Sequence, residues 1–299
     1  MPNILVVIDP DESEHSALNR IKEIPPTADV DYTVVLYMSA EPAMAGKADT
    51  AALKARKDAK IAWLQDLVAP LKAVGYRIHA ETVIFDRLYE EIIKTAQAIK
   101  ADFILKPLRQ HSILKRVFYT STDWNLIRLC PTPLIMVSDQ PAIHGKAIVA
   151  SIDVCDGDKA HKDLNTVVMD QATRLARVLN APIHLIYAYS RLIIANPVPS
   201  ADPLAYQIMR DKYASEHAAV MAVATLYDIH EDHVHMREGA PDDVVTAYAE
   251  EVDAGVVVLG TVARAGASGL FMGNTAESIV EKTKKDVFVV KQAGFTTPV

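Results

Sequence analysis

The chain repeats itself. An apolar run closing on aspartate occurs twice, as Ile4-Leu-Val-Val-Ile-Asp9 and as Ile148-Val-Ala-Ser-Ile-Asp153, at an offset of 153 − 9 = 144 residues. A second apolar run closes each copy, Pro133-Leu-Ile-Met-Val137 against Asp286-Val-Phe-Val-Val290, at an offset of 290 − 137 = 153 residues. The later copy is therefore about nine residues longer. The extra length is expected around Arg191–Tyr206, where Pro197, Pro199 and Pro203 interrupt the pattern. A duplication of this length makes each copy one structural unit with its own core.

Between these runs, short β-branched segments alternate with longer segments of helical period. That alternation predicts an α/β fold in which a parallel sheet carries helices on both faces. Strands are expected near Ile4–Asp9, Tyr32–Tyr37, Arg77–Val83, Phe103–Lys106 and Leu134–Val137. In the second copy they are expected near Ala147–Asp153, Ile183–Tyr187, His233–Arg237, Val256–Leu259 and Val287–Val290. The expectation is two tandem open parallel five-stranded sheets, with domains over residues 1–140 and 146–293. The polar segment Ser138-Asp-Gln-Pro-Ala-Ile-His-Gly-Lys146 reads as a short linker.

In an open parallel sheet, ligands bind beyond the carboxyl ends of the strands where the strand order reverses. Asp9 and Asp153 are candidate rim residues. So is Gly260-Thr-Val-Ala-Arg-Ala-Gly266-Ala-Ser-Gly269, which leaves the run Val256–Leu259 and leads into Gly273-Asn274-Thr275. Strand, glycine loop and helix start in that order aim backbone N–H groups and the helix dipole at one point, which favours a phosphate. Asn274 or Thr275 is a candidate helix cap, with Glu277 three residues past Asn274 as in a capping box. The glycines serve equally well as turn formers.

These residues carry a family resemblance. The chain resembles tandem, E-type universal stress proteins over nearly its whole length. Their nucleotide motif is Gly, two residues, Gly, nine residues, then Gly before Ser, Thr or Asn, and the second copy matches it at Gly260, Gly273 and Asn274. The resemblance implies a Rossmann-like fold of the adenine nucleotide alpha hydrolase type and a stress-response protein that senses ATP or another adenine nucleotide, with or without Mg²⁺. It implies a site including Asp153, Gly260, Thr261, Ala263, Gly273, Asn274 and Thr275, with Ile186 or Tyr187 flanking the base. Core packing is the alternative for those last two. The departure is Ala263, whose Cβ stands where a positive φ or a close backbone approach is called for. Gly266 and Gly269 offer alternative amides.

The first copy has no motif glycine. Its corresponding loop begins Lys106-Pro107-Leu108-Arg109 and runs on to Phe118-Tyr-Thr-Ser-Thr-Asp-Trp124. Pro107 removes an N–H, and the bulky Lys106 and Arg109 obstruct the backbone, so this half is expected not to hold a triphosphate. The two cations are expected on a solvated rim, in an interdomain salt bridge, or reaching an anion held by the other half.

The remaining signals narrow the function. Net charge is −7 over 299 residues, and no long basic run argues for nucleic acid. The opening residues lack a signal-peptide pattern and no apolar run spans a membrane, so a cytoplasmic location is expected. Cys130 and Cys155 are the two cysteines and are read as buried or incidental thiols. His233 and His235 share a face of a predicted strand, a spacing open to a metal or to an ordinary polar face. Asp242 and Asp243 are read as complements to a helix dipole, and Gly239 as a turn or a backbone ligand contact.

No Gly-x-Ser-x-Gly elbow, Walker loop or His-Glu-x-x-His helix is present, so any ATP turnover is expected to be slow. Helical segments at Ala51–Ala73 and Leu204–Asp228 are expected to cover a sheet face or a partner. Met209, Tyr213 and Met221 are read either as core or as the lining of an apolar pocket for an amphipathic, acyl-bearing ligand. A ligand-poor interaction protein is the other alternative, with the two domains paired within the chain or as a homodimer.

Overall fold

A computed structural model describes residues 2–12, 14–27, 29–39, 50–111, 116–140, 142–154, 159–189, 203–261, 264–266, 269–271 and 273–299. The chain divides into two compact units, Met1–Ala142 with Thr296–Val299, and Ile143–Phe295.

The first unit is built from β1 (Asn3–Ile8), α1 (Ser16–Ile21), β2 (Asp31–Ser39), α2 (Thr50–Ala73), β3 (Arg77–Phe85), α3 (Leu88–Ala98), β4 (Phe103–Pro107), β5 (Arg109–His111), β6 (Arg116–Phe118), α4 (Ser121–Leu129) and β7 (Leu134–Val137). Its sheet runs β7-β4-β1-β2-β3, with every neighbouring pair parallel. β1, in the centre, buries Leu5 and Val6 completely, which is why a strand covered on both faces reads as a continuous apolar run. β3, at the edge, begins by alternating exposed and buried residues instead.

The second unit holds β8 (Ile148–Ser151), α5 (Lys159–Leu179), β9 (Ile183–Tyr189), α6 (Pro203–Leu226), β10 (Val234–Glu238), α7 (Pro241–Glu251), β11 (Val256–Thr261), β12 (Arg264–Gly266), β13 (Gly269–Phe271), α8 (Asn274–Lys282) and β14 (Asp286–Lys291). Its sheet runs β10-β9-β8-β11-β14, again all parallel. In each unit the chain leaves the central strand toward one edge and crosses back to the other side. The order therefore reverses between β1 and β4 and between β8 and β11.

Most strand boundaries shift by one or two residues from the sequence reading, and three of these shifts bear on the rim. β1 stops at Ile8 and β8 at Ser151, so neither aspartate ends its strand. Asp9 forms a side-chain turn, its Oδ1 accepting from Asp11 N at 3.0 Å, while Asp153 is clamped by Asn165 of α5. β9 runs two residues further than expected, to Tyr189, whose carbonyl accepts from Gly239 N at 3.0 Å. Gly239 itself has φ +148, and a Cβ there would lie 2.9 Å from Val244 Cγ2, so the tight β10–α7 turn accounts for it.

The main departure lies after β4 and β11. Each expected loop folds as a small antiparallel hairpin, β5 with β6 and β12 with β13. The long helices start and end within two residues of expectation. The insertion at 190–202, Ala263 and Cys155 lie outside the described residues. Cys130 is buried.

Candidate functional site

The C-terminal ends of β8 and β11 are neighbours, with Ser151 registered against Leu259, so Asp153 and Gly260 lie on one rim at the switch point of the second unit. Asp153 is exposed, and its backbone is fixed from both sides: Asp153 N donates to Asn165 Oδ1 at 3.1 Å and Asn165 Nδ2 donates to Asp153 O at 2.7 Å. α5 thus sets where the aspartate stands.

Gly260 is explained by packing. A Cβ on it would come within 2.6 Å of Leu164 Cγ, because α5 leans Leu164 directly onto β11. Thr261 is 1% exposed, and its Oγ1 accepts from the buried Lys291 Nζ at 2.6 Å. Ile186 and Tyr187 lie inside β9 with their side chains in the core. Gly266 stands opposite Gly269 at the closed end of the β12–β13 hairpin.

Gly273 is different in kind. Nothing lies within 4 Å of a Cβ built there, and its φ of −64° needs no glycine. It is the N-cap of α8, with no side-chain hydrogen bond to the helix end. The expected cap at Asn274 or Thr275 is therefore not formed. α8 begins one residue earlier, which puts Asn274 inside the helix and Ala276 at the position a capping-box acid would need. Thr275 is exposed in the first turn. Among the described residues, then, the N-cap position of α8 carries no capping side chain, and a Cβ built on it meets no atom within 4 Å.

The first unit closes the same place. At the offset of 153 residues, Gly273 and Ala276 correspond to Thr120 and Asp123, and Leu259 to Lys106. Thr120 is the N-cap of α4 in a complete capping box: Asp123 N donates to Thr120 Oγ1 at 3.2 Å, and Thr120 N donates to Asp123 Oδ2 at 2.7 Å. Lys106 Nζ lies 2.5 Å from Asp123 Oδ1. It makes this contact as an ion pair without hydrogen-bond alignment, its aligned donation going to Pro107 O at 3.2 Å. Lys106 is 7% exposed and Asp123 0%. This corrects the expectation of a solvated rim, an interdomain bridge or a reach to the other half: the lysine is buried, and its charge is met inside its own unit. The side chain of Arg109 lies outside the described residues. Sequence reasoning missed Asp123, although Thr120-x-x-Asp123 is a legible capping box.

Other candidates resolve as structure. His233 ends a short 3-10 turn, Glu231–His233, rather than opening β10. It and His235 stack on His184, with centroids 4.3 and 5.8 Å away. Among the described residues no group of three or more His, Cys, Asp and Glu is placed to hold a metal ion. Asp242 and Asp243 do open α7, and both bind Lys282 of α8, at 2.5 and 2.7 Å. Ser278 Oγ also donates to Asp242 Oδ2 at 2.5 Å, so α7 fixes α8. Met209 and Met221 are half-buried and Tyr213 is 41% exposed. No helix among the described residues is long and apolar enough to cross a membrane.

Two copies of one open parallel α/β unit, each bringing a helix N-terminus to its crossover side, define a duplicated Rossmann-like protein. The chain belongs to the universal stress protein family, which matches residues 1–138 and 159–291. It is 32% identical to Universal stress protein E of Escherichia coli (strain K12) over 99% of this chain and 96% of that one. It is 30% identical to Universal stress protein E of Photorhabdus laumondii over 99% and 97%. Among solved structures it is similar to a Pseudomonas aeruginosa PAO1 protein described as functionally unknown, with a TM-score of 0.77, 28% identity, and coverage of 97% of this chain and 92% of that one. A universal stress protein from Archaeoglobus fulgidus shares the fold, with a TM-score of 0.69 at 16% identity over 97% and 98% of the two chains.

Proposed function

We propose that the second unit, over residues 146–293, is a sensor domain that binds ATP or another adenine nucleotide in stress physiology. Its phosphates would lie at the N-terminus of α8, and its nucleoside against the rim formed by Asp153 and the end of β11. The observation that carries this reading is the glycine N-cap of α8, which has no capping side chain and has open space over it, beside the switch point of the sheet. First-turn backbone N–H groups and the helix dipole are the chemistry a phosphate needs there.

The residues present fit the phosphate better than they fit the full glycine motif. Gly260 is required by Leu164, so the cradle is left to Gly273, Asn274 and Thr275. Magnesium accompanying ATP binds chiefly through phosphate oxygens and water, with Asp153 as an acidic group on this rim. The reading is of binding with at most slow hydrolysis.

A second reading, an amphipathic ligand with an acyl part, is favoured by the exposed apolar residues Leu204, Tyr206, Ile208 and Tyr213 along the first half of α6. Mass spectrometry of small molecules released by denaturing the freshly purified protein separates the two. Stoichiometric adenine nucleotide, lost in a Gly273→Leu variant, supports the sensor reading; an acylated compound in its place supports the second.

A further inference from the structure

We infer that Asp123 is a built-in anion: the first unit fills its own phosphate position with a carboxylate from its own chain, and Lys106 is the counter-ion that keeps it there.

The two units differ at three corresponding positions in a concerted way. The second has Leu259, Gly273 and Ala276; the first has Lys106, Thr120 and Asp123. These replace an apolar strand residue, a glycine N-cap and a methyl group with a cation, a hydroxyl cap and an anion. In the first unit the three meet. Asp123 Oδ2 accepts from Thr120 N at 2.7 Å and from Thr120 Oγ1 at 2.8 Å, and Lys106 Nζ stands 2.5 Å from Oδ1. A backbone N–H, a hydroxyl and an ammonium around one oxyanion at a helix N-terminus are the donors that a bound phosphate group collects from a protein.

Burial shows that this is more than a surface cap. A carboxylate hidden from water is stable as an ion only when it is paired and hydrogen-bonded. A capping box needs only Thr120 and Asp123; it does not need a buried lysine from β4. Lys106 has left water to meet this anion. The first unit is therefore closed to exchangeable anions because the place is taken, and the missing loop glycines are secondary. Asp123→Ala, which copies Ala276 of the second unit, would leave Thr120 N, Thr120 Oγ1 and Lys106 Nζ facing a vacated position.

The test reads the first unit alone and does not depend on nucleotide binding by the second. Trp63 and Trp124 are the two tryptophans of the chain, both in the first unit, so in a Trp63→Phe background with excitation selective for tryptophan, Trp124, beside Asp123, is the sole tryptophan emitter. Formate and inorganic phosphate are titrated against chloride at equal ionic strength. The expected result is a saturable change in Trp124 emission with formate or phosphate in Asp123→Ala, none in the parent, and none once Lys106→Met is added. A folded Asp123→Ala chain blind to both anions, a parent that responds equally, or a response indifferent to Lys106→Met would overturn the inference. If Asp123→Ala does not fold in chloride, refolding is compared instead. A higher folded yield in formate or phosphate than in chloride supports the internal anion, and equal yields overturn it.

Discussion

Leu164 stands so close to Gly260 that a methyl group on the glycine would fall 2.6 Å from Leu164 Cγ. A glycine that a nucleotide motif would claim for a phosphate is held by helix packing. Gly260→Ala is therefore expected to destabilise the second unit by about 1–3 kcal/mol through overpacking. Urea denaturation checks this, and adding Leu164→Ala should recover part of the loss. A ligand role alone would leave the unliganded stability unchanged.

The α7–α8 contact predicts a pH effect at the acid end. The hydrogen bond from Lys282, joined by that from Ser278, holds the Asp242 carboxyl at about 2, below its ordinary value. A depressed carboxyl contributes stability that is present above the unfolded pKa and lost as pH falls from about 4 toward 2. The group is partly open to solvent, so Asp242→Asn is expected to cost about 0.5–1 kcal/mol at pH 7. The difference from the parent should shrink as the denaturation series is carried toward pH 2.

His184 acts in a different window. Burial, reinforced by His233 and His235, pushes its imidazole down to about 4. The groups around it are the Tyr248 hydroxyl, 2.5 Å from His184 Nδ1, the two stacked histidines, and Arg237, which lies over Tyr248 and pairs with Glu251. The unfolded imidazole takes a proton near 6.5 while the folded one does not. Stability is thus full above about 6.5 and declines as pH falls toward 4, by on the order of 1 kcal/mol after allowance for solvent. Stability measured from pH 7 to 4 should show that decline in the parent and a flatter profile in His184→Phe.

The sheets were legible because their central strands are covered on both faces. Val256-Val-Val-Leu259 and Ile4-Leu-Val-Val-Ile8 have no polar residue to confuse the period, and the duplication fixed the order. The hairpins were not legible because each of their strands is three residues long. Gly266 and Gly269, flanking a two-residue connection, were the available turn signal.

Lys106 was misplaced because lysine is almost never buried unless paired, and its partner Asp123 is 123 − 106 = 17 residues away. The candidate site was only half legible for a similar reason. Gly260 and Gly273 look alike in sequence, but one is pressed by a leucine and the other faces open space.

That contrast sets the central measurement, isothermal titration of ATP into the purified chain and into Gly273→Leu. Because Gly273 has ordinary φ and no neighbour, the variant should stay within about 1 kcal/mol of the parent in stability. One nucleotide bound per chain, with binding lost in Gly273→Leu, is the predicted result. Undiminished binding by the variant, two nucleotides per chain, or none in the parent would contradict a single phosphate site at α8.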